Sequence, residues 1–247
     1  MNKTTSKVVK KKTSAFAGLV MGAVAMAFAH QASASLVMTI DDLSTPGIDV
    51  IIVDDVDGGV GTATAKGASN AADSSAGDGF ITFNGAVGAF SVNVTTGISK
   101  PIIGSASVAR IDLNSVNVSG AAGDLEIMLT DTDFTLAGTQ AILSNEIGGT
   151  TDGTVTTTHS LDAANVEFGS SAQLGPQQFG PGAFAYTTST GALLAGPFSL
   201  SNNVLIQHTD AGQITSFDSL TQAVPVPGTI LLMGLGLLGL SFAGRRK

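Results

Sequence analysis

The chain has 247 residues, a net charge of -8, 31 glycines, and neither cysteine nor tryptophan. Residues 35–223 hold all 19 carboxylates but only three basic side chains, Lys66, Lys100 and Arg110. Such an anionic region excludes nucleic acid as a partner, because binding to nucleic acid requires basic patches. The absence of cysteine excludes disulfides, thiolate catalysis and thiolate metal sites.

The first 34 residues have the three parts of a secretion signal. Five lysines lie within the first twelve positions, and residues 15–29 form an uncharged apolar run after them. The small residues at Ala32 and Ala34 then suit signal peptidase, which makes Ser35 the first mature residue. The alternative is a retained anchor, but a helix of 15 residues spans only about 23 Å of a hydrocarbon layer roughly 30 Å thick. The pattern therefore predicts a cleaved signal peptide over 1–34.

The region 35–223 shows the alternation of apolar and polar side chains that is typical of half-buried strands. Phe90, Val92 and Val94 alternate with polar residues, and the stretches 125–130 and 204–209 alternate in a similar way. The same pattern predicts strands over 36–40, 49–53, 79–84, 110–119, 154–161, 184–188 and 213–217. Many short strands separated by Gly, Asp and Asn turns predict an all-β fold, a single antiparallel β-sandwich.

Irregular features are expected at four places in this sandwich. The alternation changes phase near Asn114 and Ser115, which predicts a β-bulge or a strand that crosses between sheets. Residues 210–212 have turn chemistry and are predicted to join two strands as a hairpin. Residues 58–78 are poor in large apolar side chains, and residues 169–183 are rich in Gly, Pro and Gln, so both predict loose loops.

No set of residues in this domain has the spacing of a catalytic site. His159 and His208 lie alone on separate predicted strands, and the chain lacks a G-x-S-x-G nucleophile motif. A glycosidase uses two carboxylates, but 19 acidic residues always provide some pair, so their number is not specific. We therefore expect no enzymatic activity and no cofactor, with a secreted hydrolase as the less favoured alternative.

Aspartates are the candidate metal ligands. Asp54, Asp55 and Asp57 lie together in a predicted turn, and Asp131 and Asp133 offer two further carboxylates. Hard oxygen ligands clustered in this way suit Ca²⁺, although the EF-hand spacing is not met. The alternative interpretation is that these aspartates form solvated turns. We therefore consider a calcium site formed by Asp54, Asp55 and Asp57 as a hypothesis.

The C-terminus combines a proline motif, an apolar run and a basic end. The proline motif consists of Val224, Pro225, Val226, Pro227 and Gly228. Its prolines are expected to separate the domain from the apolar run. Residues 228–244 are 17 uncharged residues, about the minimum for a transmembrane helix. The basic end consists of Arg245, Arg246 and Lys247, and it should stay in the cytoplasm, with the domain on the other side of the membrane.

This arrangement resembles the PEP-CTERM sorting signal over residues 224–247. The resemblance implies a Gram-negative bacterium that makes exopolysaccharide, and a membrane protease of the exosortase family that cleaves near the proline motif. Val226 stands where this family usually has Glu, which bears on the exosortase variant that accepts the tail. The alternatives are an ordinary tail anchor and a buried strand; five glycines and the terminal cations disfavour the strand.

These expectations together describe an exported, non-catalytic protein of the cell surface or extracellular matrix, associated with biofilm or exopolysaccharide. Such a protein crosses the inner membrane, is anchored there transiently, and then reaches the outer surface or the medium. The alternative function is a calcium- or carbohydrate-binding adhesive module. A bilayer, the protease and exopolysaccharide are thus the partners to expect, and nucleic acid is not.

Overall fold

The computed structural model describes residues 36–54, 63–65 and 77–226. Within these residues the chain forms thirteen β-strands and no helix. The predicted signal peptide with Ala32, Ala34 and Ser35 lies outside the described residues, as do the apolar segment 228–244 and the basic end.

The thirteen strands form two antiparallel sheets. In chain order they are β1 Leu36–Asp42, β2 Val50–Asp54, β3 Ala63–Ala65, β4 Phe80–Val87, β5 Phe90–Ile98, β6 Ala109–Gly120, β7 Gly123–Phe134, β8 Gln140–Thr151, β9 Thr154–Asp162, β10 Ala172–Phe179, β11 Gly182–Leu193, β12 Phe198–His208 and β13 Ile214–Pro225. The seven-stranded sheet has the order β10-β9-β12-β7-β1-β2-β3, and the six-stranded sheet has the order β11-β8-β13-β6-β5-β4. The predicted antiparallel β-sandwich is confirmed.

The core lies between the two sheets and results from the alternation in the sequence. On β5, Val92 and Val94 are fully buried, whereas Ser91, which points to the other face, is exposed. On β7, Leu125 and Ile127 are buried in the same way. Branched side chains favour the extended backbone, and each strand sends every second side chain into the interior. The two inner faces therefore share one apolar core.

The predicted bulge in β6 is confirmed. Val116 pairs with Phe217 and Leu113 pairs with Ser219, so that the two residues 114 and 115 lie opposite Asp218 alone. Ser115 has a positive φ of 51°, and its N–H donates to the Asp218 carboxylate at 2.5 Å. The extra residue restores the inward phase of the apolar side chains on both sides of the bulge.

Among the described residues, six short connections carry the chain from one sheet to the other. They are residues 121–122, 135–139, 152–153, 180–181, 194–197 and 209–213. The predicted hairpin at 210–212 is therefore wrong, because β12 pairs with β7 and β9 while β13 pairs with β6 and β8. The turn residues do reverse the chain. Local sequence does not determine whether the reversed strand pairs with its predecessor or packs across the core from it.

The segment 169–183, predicted as a loop, contains β10 and the start of β11. β10 pairs with β9 at the edge of its sheet, with a register shift between Leu174 and Gln177. Gly175 and Pro176 lie at this shift, and an edge strand tolerates them because its outer side needs no donor. Within the other predicted loop, 58–78, the short strand β3 pairs with β2.

β8 was not among the predicted strands, because the glycine pair Gly148–Gly149 interrupts its alternation. The structure shows a packing reason for the second glycine. Gly149 pairs with the buried Phe217, and a Cβ at this position would lie 2.2 Å from the carbonyl oxygen of Ser216. At Gly148 the nearest atom to an added Cβ would be the carbonyl oxygen of Phe184, at an ordinary 3.7 Å.

These two adjacent glycines give a matched pair of variants. We expect Gly149→Ala to lower the free energy of unfolding by about 1–3 kcal/mol, because the backbone of β13 must move to admit the methyl group. Gly148→Ala should change it by less than about 1 kcal/mol, and an increase is expected where alanine restricts only the unfolded chain. Urea unfolding of both variants measures the difference. Equal stabilities would contradict the close approach of Phe217.

Candidate functional site

The proline motif begins inside the β-sandwich. Val224 and Pro225 are the last two residues of β13, and they pair with Ile142 and Ala141 of β8. The N–H of Val226 then donates to the carbonyl oxygen of Gln140 at 3.1 Å. The strand thus extends two residues beyond the position 223 at which the domain was expected to end. Pro227 and Gly228 lie outside the described residues.

Pro225 is compatible with the end of this strand because its position requires no donor. In an antiparallel pair, hydrogen-bonded and non-hydrogen-bonded positions alternate. Since Val226 bonds to Gln140, the position of Pro225 opposite Ala141 is a non-hydrogen-bonded one. On its other side, the pairing of β13 with β6 ends at Ala223. The expectation that the prolines stop the strand was therefore two residues too early.

Asp54, the first of the three predicted calcium ligands, is buried and bonded to the backbone. One carboxylate oxygen accepts the N–H of Gly79 at 2.6 Å, and the other accepts the N–H of Gly77. Burial raises the pKa of Asp54, and the nearby charge of Asp78 adds to this while the two N–H bonds oppose it. Asp54 therefore ties the end of β2 to the start of β4. Asp55 and Asp57 lie outside the described residues.

Asp131, one of the two further aspartates considered as metal ligands, also has its contacts within the fold. Asp131 is buried and forms an ion pair with Lys100 at 2.8 Å between Oδ2 and Nζ. The hydroxyl of Ser99 donates to the same oxygen, and the N–H of Thr132 donates to Oδ1 at 2.8 Å. Burial lowers the pKa of Lys100 and raises the pKa of Asp131, and their mutual attraction opposes both shifts.

Asp133, two residues further along β7, has a different partner. Its carboxylate accepts a hydrogen bond from the side-chain amide of Asn165 at 2.7 Å. Across residues 36–54, 63–65 and 77–226, no group of three His, Asp or Glu side chains is arranged to hold a metal ion.

Both described histidines connect the two sheets through the interior. Nδ1 of His159 lies 2.7 Å from the hydroxyl of Thr221 on β13, and its Nε2 lies 2.9 Å from the hydroxyl of Thr157. Nε2 of His208 lies 2.9 Å from the hydroxyl of Thr215, also on β13. Burial lowers the pKa of His159 to about 4 and also lowers that of His208. Both imidazoles are therefore neutral at pH 7.

An acidic depression of about 580 Å³ lies over the outer face of the six-stranded sheet. Gly148 and Ala185 are opposite each other in its floor, and their small size leaves the space open. Asp112, Glu146 and Asp218 line it from three neighbouring strands. Burial raises the pKa of Asp112 to about 6, with repulsion from Asp218 and Glu146 adding to the effect.

Sequence reasoning missed this acidic depression. Its carboxylates are 34 to 106 positions apart in the sequence, and Glu146 lies on β8, which was not predicted. The lining residues include no basic side chain, so the depression does not suit an anionic ligand. Repulsion from Asp218 and Glu146 instead adds to the effect of burial in raising the affinity of Asp112 for a proton.

Comparison with known proteins identifies the C-terminal segment. Residues 223–247 match the family described as the PEP-CTERM protein-sorting motif. Among solved structures, the chain is similar at 14% identity to the isomalto-dextranase of Arthrobacter globiformis T6 complexed with panose, over 76% of this chain and 30% of that chain, with a TM-score of 0.23. A similarity this low supports no conclusion about fold or activity. No curated protein matches the chain.

The chain therefore carries a PEP-CTERM sorting signal, as its proline motif, apolar run and basic end predicted. This signal marks an exported protein that undergoes membrane-associated sorting and is processed at its C-terminus by an exosortase-type membrane protein. In the part of the chain that the structure describes, no helix has the length and apolar character needed to cross a bilayer.

The ion pair between Lys100 and Asp131 gives a testable stability prediction. Lys100→Met should lower the free energy of unfolding by about 3–5 kcal/mol, because it leaves a buried carboxylate without its cation. Arg110→Met is the matched control. Its guanidinium is exposed and bonded to Gln222, so the change should be below about 1 kcal/mol. Denaturant titration measures both, and a loss as small as that of the control would show that Asp131 does not need the pair.

His159 gives a prediction about pH. Its pKa is about 4 in the folded chain and 6.5 when unperturbed, so the unfolded chain takes up this proton first as the pH falls. The stabilising contribution of the neutral imidazole is complete above pH 6.5 and is lost progressively towards pH 4, by roughly 3 kcal/mol in total. His159→Gln retains hydrogen-bonding capacity without titrating. Unfolding measured between pH 7 and 4.5 should therefore be less pH-dependent in the variant, and identical slopes would contradict the assignment.

Proposed function

We propose that this protein is an exported, non-catalytic component of the cell surface or extracellular matrix, associated with biofilm or exopolysaccharide. The observation that carries the proposal is the sorting motif at residues 223–247, which starts within the last strand of a folded β-sandwich. The domain needs no disulfide and has an acidic surface that favours solubility. It is thus suited to leave the membrane as one folded unit after its tail has been cut.

The roles of the histidines and aspartates support a non-catalytic domain. His159 and His208 are buried, neutral and bonded to threonines of β13, so neither is placed to exchange protons with a substrate in solvent. Asp54 and Asp131 are bonded to the backbone and to Lys100 respectively. Their contacts explain these residues as parts of the fold.

The outer face of the seven-stranded sheet supports exopolysaccharide as the partner. Thr156 and Thr158 of β9 point away from the core, as do Asn203 and Gln207 of β12. These side chains are uncharged, and they can both donate and accept hydrogen bonds. Such a surface suits weak, repeated contacts with the hydroxyl groups of a long polysaccharide, and many weak contacts along one chain add up to stable retention.

The structure of the motif also bears on where the protease would cut. Val224 and Pro225 pair with β8, and Val226 is hydrogen-bonded to Gln140. Cleavage among these residues therefore requires that the end of β13 first open. A cut after Val226 avoids this cost and leaves the whole strand on the released domain. We therefore place the processing site on the C-terminal side of Val226.

Mass spectrometry of the mature protein tests this proposal. The protein should be recovered from the medium and from membranes of a Gram-negative host that has an exosortase. We expect an N-terminus at Ser35 and a C-terminus that retains Val226 and lacks the basic end 245–247. Deletion of residues 245–247 is the control, since it removes the predicted cytoplasmic end and should abolish the shortened species without altering the N-terminus.

An intact basic end on surface-exposed protein would overturn the proposed processing. A C-terminus before Val224 would instead show that β13 opens before cleavage.

A second experiment tests the matrix role. The wild-type protein should co-purify with the host's exopolysaccharide. Equal release of the protein by mild salt washing from cells with and without the polymer would contradict this role.

A further inference from the structure

β11 is an edge strand of the six-stranded sheet and lacks the sequence features that usually protect an edge. Its twelve residues, Gly182–Leu193, contain neither a charged residue nor a proline. They pair with β8 in one unbroken register, from Gly182 opposite Thr151 to Leu193 opposite Gln140. Natural sheets usually protect such an edge with charge, proline, a bulge or a short strand, because a regular edge can pair with another chain.

The other edges among the described strands have such protection. β10 carries Pro176 and a register shift. β4 has a register shift between Ile81 and Phe83, and β3 has only three residues. Of the four described edge strands, β11 is therefore the one that combines length, regularity and absence of charge.

The alternation of hydrogen bonds shows which residues of β11 face outwards. Because Val226 bonds to Gln140, the even-numbered residues of β8 face β13 and its odd-numbered residues face β11. The odd-numbered residues of β8 are opposite even-numbered residues of β11, as Asn145 is opposite Thr188. The backbone groups that point away from the sheet are therefore those of Ala183, Ala185, Thr187, Ser189, Gly191 and Leu193.

This edge is held in place by aromatic packing. Phe184 of β11 stacks on Phe179 of β10, with the ring centroids 4.7 Å apart and the rings 13° from parallel. Tyr186 lies against the same phenylalanine at 6.1 Å. These contacts close the side of the sandwich between β10 and β11. A strand that is already fixed in the extended form loses little further entropy when it pairs.

We propose that β11 pairs in antiparallel fashion with β11 of a second copy of this chain, about a two-fold axis. The charge distribution favours a second copy as the partner. Residues 35–223 of each copy are strongly acidic, and along β11 the two copies meet where neither carries a charge. A basic peptide would be attracted to the carboxylates elsewhere on the domain. Self-pairing also places the central Thr and Ser residues of the two strands opposite one another, which stabilises antiparallel pairs.

This pairing joins the six-stranded sheets of the two copies into one continuous sheet. The resulting dimer carries two copies of every binding surface of the domain. It rests on the edge of the domain and holds whether or not the proposed matrix role is correct. Its failure would therefore leave the sorting signal and the processing experiment untouched.

Sedimentation velocity of the exported, processed protein over a range of concentrations tests the pairing. We expect a monomer–dimer equilibrium for the wild type. Ser189→Pro removes an outward N–H without removing a bond to β8. Because the two copies are related by a two-fold axis, the interface loses this donor from both strands. The dissociation constant should rise by about tenfold or more. Ser189→Glu should have the same effect through like-charge repulsion, and it carries the test if the proline variant does not fold.

Thr82→Glu on the edge strand β4 is the matched control, since Thr82 is likewise exposed on an edge and its variant should dimerise as the wild type does. Hydrogen exchange should show protection of the outward amides of β11 that increases with protein concentration. A wild type that stays monomeric at every concentration would overturn the proposal. Unchanged dimerisation of the Ser189 variants would also overturn it. Protection of the β11 amides that does not depend on concentration would overturn it too, because it would mean that another segment of the same chain covers the edge.

Discussion

β13 makes contacts in three directions, and the integrity of the domain depends on them. Within its sheet it pairs with β6 on one side and with β8 on the other. Across the interior, its inward Thr215, Ser219 and Thr221 meet side chains of the opposite sheet. Since no cysteine is present, no disulfide joins the two sheets, and the apolar core and these cross-links must hold them together.

The cross-links differ in kind from the apolar packing around them. Burial of apolar area is favourable but has little directionality, so it would allow two flat faces to slide or rotate against each other. A hydrogen bond such as that from Asn202 to Ser219, at 2.9 Å, has a defined length and direction. Three such contacts along one strand fix the relative position of the sheets. Directional contacts of this kind therefore favour one arrangement of the core over others.

The sequence was informative where one physical requirement acted alone. Alternation on β5 and β7 identified buried faces, because each strand has one side in the core, and a change of phase at Asn114 and Ser115 located the bulge. Prediction failed where a second requirement prevailed. At Gly149 the space needed by Phe217 removed the side chain that alternation requires, and the edge position of β10 allowed a proline that composition assigns to a loop.

The candidate sites show the same division. The tail could be recognised because its parts are contiguous in sequence. The acidic depression could not, since Asp112, Glu146 and Asp218 come together only through the register of three strands. The structural role of Asp54 was also hidden, because its partners lie at Gly77 and Gly79, beyond a long intervening segment.

The position of β13 has a consequence for the order of events during secretion. Without it, the six-stranded sheet falls into two separate pieces, β11 with β8 and β6 with β5 and β4. When a chain passes through a translocon from its N-terminus, β13 is the last strand to emerge, immediately before the apolar segment 228–244. The gap in the middle of the sheet is therefore filled only when the sorting signal itself is being exported. Completion of the fold and arrival of the sorting signal become one event, and a chain interrupted before that moment is an unfinished substrate for quality-control proteases.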